Sequence, residues 1–190
     1  MCGRFEVDPS VPEIQKIMQL AGSPLPYKTG EIFPGDTTLV VKKEKEVLPM
    51  TWGFPQRERK GVIFNARSES ALQKPLFRKA LSSHPVVVPT TGFYEWTPTP
   101  GERRKTRYLF REPGQEVTWL AGFSNRFRTE AGSGEYFTIL TTEANGSVVQ
   151  YHHRMPLVLY ETEIADWLEG SHLPEMLKNV PPSLEADRRS

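Results

Sequence analysis

"PVVVPTTGFYEW", residues 85–96, is the stretch on which the fold turns. Val86, Val87 and Val88 are β-branched, Phe93, Tyr94 and Trp96 are aromatic, and no helical period runs through them. Such residues favour extended chain that packs on at least one face. Runs of the same kind lie on both sides: "TTLVVKK" (37–43), "GVIFN" (61–65), "TRYLFR" (106–111), "VTWLAGF" (117–123), "YFTILTT" (136–142) and "PLVLY" (156–160). Gly, Pro and charged clusters separate them, as turn chemistry requires.

Helical patterns are fewer. In "SVPEIQKIMQLAG" (10–22), Ser10 and Glu13 fit a capping box and Pro12 suits the first turn. Ile14, Ile17, Met18 and Ala21 then form one apolar face, and Gly22 suits the C-terminal cap. "PLFRKALSS" (75–83), "ANGSVVQYHH" (144–153) and "ETEIADWLEG" (161–170) are the other helical patches, with Trp167 and Leu168 expected in the core. Strands without regular βα alternation argue against a doubly wound sheet. The expectation is a single α+β domain: a curved, mostly antiparallel sheet with a barrel-like core and a few flanking helices. It spans residues 1–180, and the ending "PPSLEADRRS" (181–190) reads as a frayed tail.

Bulk properties narrow the class. With 190 residues, 37% of them hydrophobic and 25% charged, the chain reads as a soluble globular protein large enough for its own core. No apolar run approaches the ~20 residues of a membrane span, and no signal peptide is legible. The one cysteine forms no internal disulfide, so the cytoplasm is the expected compartment. A net charge of +1 does not decide about nucleic acid. The basic runs "RERK" (57–60) and "ERRKTRYLFR" (102–111) suit solvated hairpins better than phosphate contacts. One Cys and four scattered His give no metal site, and no phosphate-binding glycine loop is present.

Four polar blocks interrupt the apolar runs: "MCGRF" (1–5), "FNARSES" (64–70), "GFYEW" (92–96) and "YHHRMP" (151–156). Cys2 follows the initiator methionine, whose removal would expose an α-amine and a thiol on adjacent carbons. With reference pKa values near ~7.7–8.0 and ~8.5, both are nucleophiles around neutrality. With an aldehyde such a pair forms an imine and then a five-membered thiazolidine. Towards an amide, the thiolate is an N-terminal nucleophile. A small buried cysteine is the plainer alternative. Glu95 is either solvated or a desolvated proton-transfer group. His152 and His153 either cap a helix end or move protons. Asn65 and Arg67, two apart on a strand, share a face suited to a carbonyl or sugar oxygen and a phosphate, or to a structural ion pair.

Together these blocks resemble the SRAP family, the SOS-response-associated peptidases or abasic-site processing proteins. "MCGRF", "NARSE", "GFYEW" and "HHRMP" look like its signature blocks, and "TWGFP" (51–55) resembles its Trp-Gly-x-x-Pro block. The resemblance covers residues 1 to about 168. It implies covalent capture of abasic sites in single-stranded DNA as a thiazolidine, with no cofactor and no metal, by a monomer. Self-removal of Met1 and a lyase side path belong to the same picture. Carried onto this chain, Cys2 is the nucleophile, Glu95 the proton-transfer carboxylate, and His152 the group facing the deoxyribose oxygen. Asn65 orients the N-terminal residue. Arg4, Arg67 and Arg154 hold flanking phosphates, while Trp52, Phe33 and Pro34 stack or wedge against bases. Two positions depart from the family pattern: Glu31 stands where an asparagine is usual, and His153 stands in place of an aspartate. Two other readings stay open: an N-terminal-nucleophile amidohydrolase, and a non-covalent single-strand binding module.

Overall fold

The structure, a computed structural model, describes residues 2–21, 26–56, 60–98, 101, 104–130 and 132–189. In chain order its strands begin with β1 (Phe5–Val7), β2 (Gly30–Ile32), β3 (Thr37–Val41), β4 (Val47–Trp52), β5 (Phe54–Pro55), β6 (Val62–Ile63) and β7 (Asn65–Arg67). They continue with β8 (Pro85–Thr90), β9 (Gly92–Thr97), β10 (Thr106–Arg111), β11 (Thr118–Thr129), β12 (Gly132–Glu143), β13 (Arg154–Pro156), β14 (Val158–Leu159) and β15 (Glu185–Arg189). The helices are α1 (Pro12–Leu20), α2 (Ser68–Ala71), α3 (Pro75–Ser83), α4 (Ile164–Glu169) and α5 (Leu173–Met176).

Five strands close on themselves. β3 runs antiparallel to β4 and β8, β11 antiparallel to β8 and β12, and a parallel β4–β12 pairing completes the ring. Closure removes the unpaired edges that open sheets must protect. Every residue of β8 is buried, because α4 packs on the outside of this strand. Burying Val86, Val87 and Val88 is worth about 1.5–3 kcal/mol each. Trp167 in α4 donates its indole N–H to the Val86 carbonyl at 2.9 Å, so its one polar atom is satisfied in the core.

The second sheet is open and antiparallel, in the order β15-β10-β9-β1-β2. The chain steps from barrel to open sheet inside residues 85–96, where β8 ends and β9 begins around Thr91. The Glu6 carbonyl accepts the Thr91 backbone N–H at 2.8 Å and so pins this corner to β1. Gly92 follows at φ 151°, and a Cβ there would lie 2.6 Å from the Phe110 carbonyl oxygen. Only glycine serves at that crossing.

Several local expectations are corrected. Ser10 does not cap α1: its N–H and hydroxyl both donate to Asp8, and Val11 takes the cap position without a side-chain bond. Gly22 lies outside the described residues. Residues 145–151 form turns rather than a helix, held by Asn145 Oδ1, which accepts from Ser147 N and Oγ. The ending is no frayed tail: Glu185–Arg189 pairs with residues 107–111 of β10. Its polar composition hid the strand, whose binding energy is main-chain pairing on an edge. Of "RERK" only Lys60 is described, and of residues 102–111 all but Glu102 and Arg103.

Candidate active site at the junction of the two sheets

The site forms where β1 leads its preceding residues between the open sheet and the barrel mouth. Phe5 pairs with Phe93, and the Tyr94 N–H donates to the Arg4 carbonyl at 2.9 Å, so the chain before β1 runs alongside Glu95. On β9 the side chains alternate: Phe93 and Glu95 share the inner face, and Tyr94, buried beneath Arg107, and the more exposed Trp96 share the outer one. Phe93 stacks on Phe110 with centroids 5.3 Å apart, and Glu95 shares that apolar face with only 4% of its surface exposed. Burial holds its carboxyl above the usual carboxylate range, against the pull of positive charges that include His153 and Lys105.

Cys2 is wholly buried. Burial, and after it the charge of Glu95, pushes its thiol far up, so the sulfur is held as S–H. The thiol donates weakly to the Arg4 carbonyl oxygen, with Sγ 3.6 Å away. The Cys2 carbonyl accepts from Asn65 Nδ2 at 2.7 Å. Asn65 reaches it from β7, which runs parallel to the far part of β12 with Asn65 opposite Ile139. Asn65 Oδ1 is buried and has no hydrogen-bond partner among the described residues. Ala66 points into the core between Asn65 and exposed Arg67, as alternation requires.

His152 follows the turn that ends at Tyr151. Its Nδ1 lies 3.0 Å from the Arg154 N–H and 2.9 Å from the Arg154 carbonyl oxygen. A bare Nδ1 accepts from the first and a protonated one donates to the second, so the ring stays oriented in either state. Burial lowers its pKa, which leaves the imidazole neutral over more of the physiological range. His153 stacks on it, centroids 4.5 Å apart, and is exposed, its own pKa lowered chiefly by the His152 charge.

The structure therefore brings Cys2, Asn65 and Glu95 together and sets His153 within electrostatic reach of Glu95, with His152 stacked on the His153 ring. It does not leave Trp52 or Arg154 for DNA. Trp52 has no exposed surface: its indole N–H donates to the Phe64 carbonyl at 2.8 Å, and its ring packs 4.8 Å from Phe5 and stacks on Phe137. Arg154 is 7% exposed and gives both terminal nitrogens to Glu69, at 2.5 and 2.9 Å, with a further bond to the Thr141 carbonyl at 2.6 Å. Both terminal nitrogens of its guanidinium are taken by protein partners. Arg4 and Phe33 stay at the surface, with the guanidinium 4.2 Å over the Phe33 ring. Pro34 is half-buried beside it.

Reasoning along the chain missed Lys105, Glu69, Trp96 and Arg107. Trp96 lies on the outward side of β9 and Arg107 opposite it on β10. The signal for both was in the sequence, since alternate residues of a strand share a face. Which partner each would meet depends on strand order. Among the described residues no group of three or more His, Cys, Asp or Glu is placed to hold a metal, and no helix is long and apolar enough to cross a membrane.

Known proteins resemble this chain in sequence over 74–98% of its length. The Bacillus subtilis protein named "Abasic site processing protein YoqW" is 26% identical over 201 residues, covering 98% of this chain and 89% of its own. "Abasic site processing protein YedK" of Escherichia coli is 26% identical over 178 residues, covering 88% and 79%. "Abasic site processing protein HMCES" of Gallus gallus is 26% identical over 170 residues, covering 74% and 51%. Among solved structures, a Bordetella bronchiseptica protein superposes with a TM-score of 0.83 at 22% identity over the whole of both chains. A Bacteroides thetaiotaomicron protein does so with 0.79 at 20% identity, over 98% of this chain and 91% of its own. These two share the fold. The model of the family described as "SOS response associated peptidase (SRAP)" matches residues 1–188, and the chain belongs to that family.

Proposed function

We propose that this protein processes abasic sites in single-stranded DNA, capturing the ring-opened sugar aldehyde covalently through Cys2 once Met1 has been removed. The observation that carries the reading is the junction itself. Asn65 holds the Cys2 main chain while the buried Glu95 carboxyl acts on the Cys2 thiol. The names of the relatives from Bacillus subtilis and Escherichia coli point the same way.

The chemistry follows from the protonation states. Hydrolysis of the Met1–Cys2 peptide bond consumes one water, releases methionine and frees the α-amine; self-removal is the route proposed here. The amine nitrogen adds to the aldehyde carbon, and its proton passes to the oxygen to give a carbinolamine. Glu95, whose protonated form burial favours, delivers a proton to the departing hydroxyl, and water leaves as the protonated imine forms. The sulfur then bonds to the carbon of this protonated imine, the C=N electron pair settles on the nitrogen, which keeps its one proton, and the S–H proton returns to Glu95. The sum is one aldehyde and one aminothiol giving a thiazolidine and one water, with no oxidant. A thiol held as S–H sets the order: amine first, sulfur second. Neutral His152 serves the deoxyribose oxygen, and exposed Arg67 a neighbouring phosphate. An imine also acidifies the adjacent carbon, so β-elimination of the 3′ phosphate competes until sulfur closes the ring.

Intact mass after incubation with an abasic oligonucleotide tests this. The expected product has lost Met1 and gained the DNA mass less one water, and Cys2→Ala gives none. A heat-stable adduct formed by Cys2→Ala would overturn the mechanism, and ammonia release from glutamine would favour amide hydrolysis.

A further inference from the structure

The outward face of the open sheet carries a charged cluster that the capture chemistry leaves unused. Strand register puts Glu31 of β2, Tyr94 and Trp96 of β9 and Arg107 of β10 on that face, beside Arg4. Glu31 takes one guanidinium on each oxygen: Oε2 accepts from Arg4 at 3.1 Å and Oε1 from Arg107 at 2.5 Å. Arg4 lies between two rings, 4.2 Å from the Phe33 centroid and 4.8 Å from that of Trp96, and Arg107 lies 4.8 Å over Tyr94. The side chains of Arg4, Arg107 and Glu31 are 27%, 25% and 32% exposed, so solvent and a ligand both reach them. Arg4 Nε is buried and has no hydrogen-bond partner among the described residues. Two guanidinium groups converging on one anion, walled by aromatic faces, form the arrangement that holds a strand phosphate between stacked bases. Here the anion is the protein's own carboxylate.

We propose that Glu31 is a specificity-determining residue: it competes from within for Arg4 and Arg107 against the phosphate of a bound strand. The role rests on the single-stranded DNA reading above. An intact strand has only non-covalent contacts and must displace or share with Glu31, so it is held weakly. A strand with an abasic site is retained by a covalent bond once it reaches Cys2, and tolerates the same competition. Glu31 thereby widens the gap between damaged and undamaged DNA without touching the reacting atoms.

Glu31→Gln keeps the shape and removes the charge. The expected result is about tenfold tighter binding of an intact single-stranded oligonucleotide at low salt. The slope of log affinity against log salt should steepen by about 0.7, one further phosphate neutralised. Retention of an abasic strand, already complete through the covalent bond, should not change, so where capture is saturated the ratio of retained abasic to retained intact strand falls. Should Glu31→Gln melt early, Glu31→Thr, which suits a strand, carries the same expectation. Unchanged or weaker binding by whichever variant folds overturns the role. Abasic crosslinking by the wild type, run in parallel on denaturing gels, separates the two claims. A crosslink without the affinity gain removes the competitor role alone. The affinity gain without a crosslink removes covalent capture and leaves the competitor standing.

Discussion

The barrel and the open sheet treat their polar groups in opposite ways. In the barrel, the large polar side chains are turned to protein partners: Trp52 donates to Phe64, Trp167 to Val86, and Arg154 gives its terminal nitrogens to Glu69 and Thr141. In the open sheet one strand puts a carboxyl on the inward face and aromatic rings on the outward one, and charged groups meet at the surface. The first arrangement lowers the energy of one conformation. The second leaves groups in states that a ligand can change. Stability and function should therefore separate along the boundary at Thr91.

The barrel side of that boundary offers the largest effect. Trp52→Ala removes a fully buried ring and should destabilise the protein by about 3–5 kcal/mol in denaturant unfolding. Capture would fall only as far as the folded fraction falls. Loss of capture in a fully folded Trp52→Ala protein would blur the comparison by giving the barrel a direct part in binding.

Glu95→Gln should act in the opposite sense on the two properties. Burial raises the folded-state pKa of Glu95, so the folded protein binds this proton more tightly than the unfolded chain. The cost of burying the carboxylate is absent below the ordinary Glu range, grows as pH rises towards the folded value, and persists above it. Glu95→Gln should thus melt a few degrees higher than wild type near neutrality, with the advantage disappearing in acid. Crosslinking should slow by roughly 10²–10⁴, the usual worth of a positioned acid or base. A variant that is less stable at neutral pH would show that Glu95 is structural.

The smallest effect belongs to the rim of the open sheet. Phe33 is 37% exposed, so Phe33→Ala should shift stability by no more than about 0.5 kcal/mol. Affinity for intact single strand should drop about fivefold or more, since a stacking platform is worth roughly 1–3 kcal/mol per base. Fluorescence anisotropy reads this directly, and an unchanged affinity would confine strand contact to the charged groups.

Much of this was legible along the chain. The β-branched and aromatic runs predict extended chain, and α3 spans residues 75–83 as its apolar spacing indicates, because neighbours in sequence decide such preferences. The four polar blocks mark Cys2, Asn65, Glu95 and His152 as unusual among apolar strands, and the fold gathers Cys2, Asn65 and Glu95. The last strand, β15, escaped because its residues, Glu185 to Arg189, are mostly charged and its stability comes from pairing with β10.

What composition and spacing determined, then, is where the chain is extended and which residues carry chemistry. Only the tertiary structure decided what each charge is used for. Arg154 and Arg107 are the same residue type, each on a strand. Glu69 closes over one, whose side chain is buried, from 85 residues away, and Glu31 meets the other, a quarter exposed, from 76 residues away. An ion pair depends on distance in space and on the water left around it, and neither is encoded in the local pattern. The stretch 85–96 shows both sides. Its residues dictate two strands, but the crossing at Gly92 is what turns Glu95 towards Cys2 and away from water.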